Sequence, residues 1–397
     1  MLTSCDRSAQ NMSESPLDDI SPGSGLMDKW PDEGPELLWT YEGLGKGYGG
    51  PAVTNEGIFI NGEDNGNSYT LKLDHKGKLC WRSSNGKEFT GIDYTASYPG
   101  TRSAPTVVEG HVYASSGMGQ LSCFDAHNGA LIWTSDLITE FNGNLGDFGY
   151  SESPVLDQKR IYCFPGGSIH NIVALDRMTG DLAWSAPVNQ DYFSYSTPVL
   201  VDLPEREVLI GTSRNYIHVL DRKDGQLLSN YTLEDIRYGY EHCNSVVFLD
   251  EHVYFVASEK HGQGTVKLLL SSNGKSLKEV WRNNKLTNIF GGFVIVKNRL
   301  FSTLESRKLV GLDINNGRIK SSVRAVSGSI VYADAKLFIY GHNGMVQLFK
   351  LDQGKPELTS EFRIREGSGH HFSFPVIADG VMYIRRGHVL MAYAIKD

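Results

Sequence analysis

Between Val173 and Trp184 the chain reads Val-Ala-Leu-Asp-Arg-Met-Thr-Gly-Asp-Leu-Ala-Trp, and close variants of that phrase recur from one end of the sequence to the other. A repeat at a fixed period constrains the fold more than any composition does, because every copy must adopt the same local structure. Here the local structure is legible. Val173 and Leu175 alternate with smaller neighbours, Asp176 can bond its own backbone to start a turn, and Gly180 supplies the positive φ that ends it. Leu182 and Trp184 then resume the alternation, so the phrase reads as two short strands around a tight turn.

The same phrase stands at Leu71–Gly77 with Trp81 and at Leu121–Gly129 with Trp133, and in all three copies the tryptophan lies four residues after the glycine. Weaker copies keep the turn and lose the aromatic: Val219–Gly225 with Ser229, and Leu312–Gly317 with Ser321. Leu268–Gly274 has a displaced Trp281, and Leu348–Gly354 and Val389–Ala394 bring the count to eight. Ahead of each copy lie two further short apolar runs, such as Ser153–Leu156 and Ile161–Phe164, which makes four strands per unit. From Pro35 to Asp397, eight units come to about 45 residues each, the period of propeller blades. A four-stranded unit cannot cover both its apolar faces alone and is stable only when stacked on copies of itself. The expected architecture is all-β: an eight-bladed β-propeller of four-stranded antiparallel blades. The last unit ends after three strands, at Ala392–Ile395, while an unpaired strand, Leu37–Trp39, precedes the first. That strand is expected to complete the last blade, closing the ring and leaving no long bare edge.

Residues 1–29 are rich in Ser, Asp and Gly and read as a flexible tail, and 30–397 as one propeller domain. The formal charge is −8, from 38 basic and 46 acidic residues, with no basic stripe to track phosphates, so nucleic acid is not an expected partner. No apolar stretch reaches the roughly 18 residues that a membrane helix needs. Of the five cysteines, Cys80, Cys123, Cys163 and Cys243 fall on or at the start of expected strands and read as small buried hydrophobes. Cys5 is different: Leu2-Thr-Ser-Cys5 resembles the cleavage-and-lipidation box of bacterial lipoproteins, directly ahead of a flexible tail. The apolar region of a signal peptide does not precede it.

The copies of Leu-x-x-Leu-Asp-x-x-x-Gly-x-x-x-Trp resemble the repeats of the pyrroloquinoline-quinone (PQQ)-like propeller family, and the resemblance covers nearly the whole chain after the tail. Trp30–Trp39 also resembles the lead-in to the ring in exported bacterial members. That family holds quinone-dependent alcohol and sugar dehydrogenases and also binding scaffolds, including the propeller lipoprotein of the outer-membrane BAM assembly machine. A dehydrogenase resembling it implies a flat pocket for PQQ, Ca²⁺ on carboxylate and amide oxygens, and an Asp as general base. The sequence has no adjacent cysteine pair and no acidic cluster that aligns with those calcium ligands. The acidic turn Gly62–Asn67 reads as a solvated connection between two strands of blade one.

In propellers the chain leaves the outer strand of one blade and crosses to the inner strand of the next, and these crossings rim one mouth of the channel. Here they are long and rich in aromatics, carboxylates and histidines. Aligning the inner strands places Tyr48, Arg102, Glu152, Tyr195, Glu241, His242, Phe290 and His371 at or beside equivalent positions, with Tyr150 and Tyr240 nearby. Flat rings with a few polar groups suit a binding surface. Such loops can equally satisfy one another across the mouth. Glu241, His242, His370 and His371 could hold a metal only if they meet. The expected function is a non-catalytic, exported scaffold, periplasmic or tethered to the outer membrane through Cys5, that acts as a monomer and presents this mouth to a protein or carbohydrate partner. No cofactor is expected. The alternatives are a PQQ- and Ca²⁺-dependent oxidoreductase and an accessory lipoprotein of an envelope assembly complex.

Overall fold

In a computed structural model, residues 25–188, 194–233, 242–258 and 264–396 are described, and they form eight four-stranded antiparallel sheets. Blades one to seven span 52–87, 106–136, 155–186, 199–232, 247–283, 294–324 and 328–363, each in simple meander order. Blade eight takes three strands from 376–394 and its outer strand from the other end of the chain: Leu37–Tyr41 pairs antiparallel with Val389–Ala394. The expected closure is therefore present, with the strand two residues longer than Leu37–Trp39. Inner strands are short, often three residues, because they converge on the axis. No described helix is long and apolar enough to cross a membrane.

The repeat phrase folds as its residues dictate. Asp176 Oδ1 accepts the amides of Met178 and Thr179 at 2.8 and 3.1 Å, and Gly180 sits at φ +79°. The same Asp-capped turn is built by Asp74 and Asp125. These glycines have a second duty: each lies under the indole of the preceding blade. A Cβ on Gly180 would stand 2.8 Å from Trp133, and one on Gly225 2.5 Å from Trp184. The indole N–H then reaches a carbonyl of the same turn, as Trp133 to Arg177 at 2.9 Å, Trp184 to Arg222 at 3.0 Å and Trp39 to His75 at 3.0 Å. Trp81 on Ala126 and Trp281 on Ile314 repeat the contact.

Trp281 looks displaced in sequence only because its hairpin is longer. It pairs opposite Lys267, as Trp81 does opposite Lys72, and both lysines share the indole's acceptor carbonyl. Where the tryptophan is missing, blade four docks on blade five through Leu228 and the Ser229 hydroxyl, which donates to Gly274 O at 2.7 Å.

The sixth tryptophan, Trp30, is 2 % exposed and fills the seam between blades seven and eight against Phe338 and Phe362. It arrives on a segment that docks to the face of the Asp-capped turns. Leu26 bridges to Lys396, Met27 N donates to Ile395 O at 2.8 Å, and Asp28 pairs with Lys336 and Lys350. The packed chain thus reaches back to Gly25, five residues before the expected boundary at Trp30, because residues 25–29 find backbone and charge partners on blades seven and eight. Cys5 and the rest of the tail to residue 24 lie outside the described residues.

Cys123, Cys163 and Cys243 are buried or half-buried, whereas Cys80 is exposed on an outer strand, where every second side chain faces water. Cys80, Cys123 and Cys163 are free thiols. The Gly62–Asn67 turn is the expected hairpin, joining Gly57–Asp64 to Asn67–Leu73, yet Glu63 within it is buried and accepts the amides of Lys46 and Gly66.

Candidate functional site

The mouth opposite the N-terminal segment is built by the inter-blade crossings. The first carries the 3₁₀ helix Asp93–Ser97, held by Thr95, whose hydroxyl bonds both Ile92 N and Ile92 O. This rigid knuckle thrusts Ile92 and Tyr94 outward, 78 % and 62 % exposed. From Tyr94 a net of ring contacts runs across the mouth. Phe148 meets Tyr94, Tyr98 and Tyr195 edge-on, each at 5.9 Å. Tyr98 stacks on His370 at 5.0 Å, His370 stacks on Phe372 at 4.8 Å, and Phe372 meets Phe290 at 4.8 Å and His342 at 5.4 Å. Edge-to-face and offset pairs at these distances are attractive beyond their buried area. Rings from five crossings therefore share one surface.

Below the rings lies a belt of hydrogen bonds joining the start of each inner strand to its neighbours. Ala104 N donates to Ser153 Oγ, Ser153 N to Thr197 Oγ1 and Thr197 N to Ser245 Oγ, at 3.0 to 3.1 Å. Ser103 Oγ reaches Ser115 O, and Asn244 Nδ2 reaches Val256 O and Asn288 O.

Two ionisable groups are set into this belt. Among the described residues Glu152 accepts only the Phe164 amide, and burial pushes its carboxyl up to about 8. Arg385, 1 % exposed, donates to Gly387 O, Gly49 O, Asn61 O and Thr101 Oγ1 at 2.8 to 3.2 Å, while its Nη2 has no partner. Burial pulls it down to about 10, so it stays charged at neutral pH. Beside it Arg102 donates to Gly100 O at 2.8 Å and to Tyr98 O, its guanidinium lying over Phe89 and Tyr48 at 4.8 and 5.6 Å.

The expected site residues divide accordingly. Tyr48, Arg102, Tyr195 and Phe290 are half-buried at the mouth and in contact with its aromatics. His371 lies at the rim, but its Nδ1 is taken by the Tyr340 hydroxyl at 2.6 Å, and burial with nearby Arg386 and Arg363 lowers it to about 4. His370 turns the other way, onto Tyr98 and Phe372. Tyr150 is a core residue: it is 7 % exposed and its hydroxyl donates to Pro165 O at 2.8 Å. His242 is 1 % exposed and packs edge-on against Phe255. Tyr240 and Glu241 lie outside the described residues. Among the described residues no three His, Cys, Asp or Glu side chains gather as metal ligands. Sequence reasoning missed Arg385, His342 and Phe372. Arg385 carried a signal, a charge near the end of the otherwise apolar run Val381–Ile384.

Fold and mouth together define the class: a closed eight-bladed propeller with tryptophan-docked seams and an aromatic channel rim. Residues 66–323 match the family model described as outer membrane protein assembly factor BamB, and the chain belongs to that family. A relative bearing that name from Kangiella koreensis is 26 % identical over 211 residues, covering 53 % of this chain and 48 % of its own. The chain thus spans about half the length of the curated relatives it matches. Among solved structures, BamB from Moraxella catarrhalis superposes with a TM-score of 0.65 at 12 % identity, covering 90 % of this chain and 97 % of the other. A quinohemoprotein alcohol dehydrogenase from Pseudomonas putida HK5 superposes at 0.50 and 13 % identity, covering 97 % and 79 %. At such identities these two likenesses concern the fold alone.

Proposed function

We propose that this chain is a non-catalytic binding propeller that serves outer-membrane protein assembly from the periplasmic side, offering its aromatic mouth to a protein partner. The family match over residues 66–323 carries this reading, since that span includes the crossings that hold Arg102, Phe148, Tyr195 and Phe290. The mouth supports it: rings on a rigid knuckle, with one face exposed, are the chemistry of protein interfaces. The segment Gly25–Trp30 docks on the opposite face, so a lipid tether upstream at Cys5 leaves the mouth turned away from its anchor.

The test is photocrosslinking in the envelope of the host. A crosslinker in place of Tyr94 is expected to capture a membrane-associated protein, and one in place of the exposed His127, on the tether face, to capture none of it. Equal capture from both faces would remove the mouth from the reading. The quinoprotein alternative makes its own prediction. Protein mixed with PQQ and Ca²⁺ and then gel-filtered would retain quinone absorbance and reduce dye on addition of alcohols, and that result would overturn the scaffold.

A further inference from the structure

The two arginines at the mouth, Arg102 and Arg385, make no direct ion pair among the described residues, and the Glu88 and Glu63 carboxyls act on them only at longer range. Among those residues every oxygen they bond is a carbonyl or a hydroxyl. The two are neighbours, because Arg385 bonds Gly49 and Thr101, which flank Tyr48 and Arg102 in the chain. Taking a guanidinium out of water is costly unless an anion compensates it.

The carboxyls of this quadrant spend their hydrogen bonds on backbone amides and none bonds either guanidinium, although Glu88 Oε2 has no hydrogen-bond partner. Glu63 takes the amides of Lys46 and Gly66, Glu88 those of Phe89 and Gly117, and Glu152 that of Phe164. Arg386 adds a further cation to the same rim, in a chain whose net charge is −8.

Geometry gives the missing anion a shape. With the Arg102 guanidinium lying over the Phe89 and Tyr48 rings and two of its N–H groups spent on Gly100 and Tyr98, its remaining N–H groups are left for an incoming acceptor. A carboxylate, with two acceptor oxygens on one carbon, matches that edge. The stacked Tyr98, His370 and Phe372 form an apolar wall beside it, and Ile92 and Tyr94 extend the apolar surface outward.

We propose that Arg102, backed by Arg385, is a carboxylate-binding site for an acidic peptide segment of the protein partner, with apolar residues of that segment lying on the aromatic wall. This rests on the scaffold reading above and specifies what the mouth recognises.

The test uses a fluorescein-labelled hexapeptide alternating glutamate and phenylalanine, and its counterpart with glutamine for glutamate, titrated into the full chain. The glutamate peptide is expected to bind saturably and about tenfold more tightly than the glutamine peptide, an advantage that shrinks as NaCl rises from 0.05 to 0.5 M. Arg102→Met removes that advantage, so that the two peptides bind the variant alike. Arg102→Lys, which keeps the charge but not the fork, retains part of it and serves if the methionine variant does not fold. Equal affinity for the two peptides, or an Arg102→Met protein with undiminished preference, overturns the proposal. Failure here with successful crosslinking at Tyr94 leaves the scaffold standing and removes only the carboxylate.

Discussion

Glu152 shows how burial decides what a residue can do. The residue is 9 % exposed, with one amide donor and no cation bonded to its carboxyl among the described residues, so burial favours the neutral form and pushes the group up to about 8 from the usual value near 4.3. A folded-state value raised above the unfolded one means that the group's contribution to stability is intact below about pH 4.3 and is lost as pH rises toward 8. Glu152→Gln keeps an oxygen for Phe164 N and removes the titration. Urea denaturation from pH 5 to 8 is therefore expected to show a wild type that falls relative to the variant by at most about 1.4 kcal/mol per pH unit. An identical pH slope in both proteins would show that Glu152 is solvated. His342 acts in the opposite sense. Burial lowers it to about 4 and its Nε2 has no partner, so its contribution is lost as pH falls below about 6.5. Neither state was legible in the sequence, where Glu152 reads as one more acid in a polar crossing.

At the scale of elements, the hairpin phrase is both the repeat and the glue. The same glycine that permits the turn leaves room for the neighbouring indole, and the same turn offers the carbonyl that the indole binds. Trp133→Phe keeps a ring over Gly180 but strands Arg177 O, at a cost of about 1 kcal/mol. Gly180→Ala costs more, because φ +79° is unfavourable for alanine and its Cβ would enter the indole. Urea midpoints of the two variants should fall in that order, and a harmless Gly180→Ala would show that the seam is loosely packed. The phrase was legible because its determinants are local. The crossings were not, since a loop without periodicity does not announce which side chain turns inward. Hence His242, aligned to the mouth, and Tyr150, expected near it, sit in the core, while Phe372, one residue from His371, takes the central place.

For the whole molecule, closure depends on two N-terminal contacts. Leu37–Tyr41 supplies the outer strand of blade eight, and Trp30 fills the seam between blades seven and eight, one of those without an outer-strand tryptophan. Trp30→Ala is expected to open that seam and lower global stability by about 3 kcal/mol, as large aromatic truncations in cores do. Removing residues 25–41 bares the edge of Val389–Ala394 and is expected to convert a monodisperse species into aggregates on gel filtration. A truncated chain that stays soluble and cooperative would show that seven and three-quarter blades suffice.

The sequence by itself determined the number of blades, the hairpin at each and the strand that closes the ring, because these follow from short-range alternation, turn chemistry and a repeat counted along one dimension. Only the tertiary structure decided which crossing residues meet above the channel, that burial favours the neutral form of Glu152 and that Arg102 and Arg385 make no direct ion pair among the described residues. Those properties arise from curvature and exclusion of water, which bring together groups as far apart in the chain as Thr101 and Arg385.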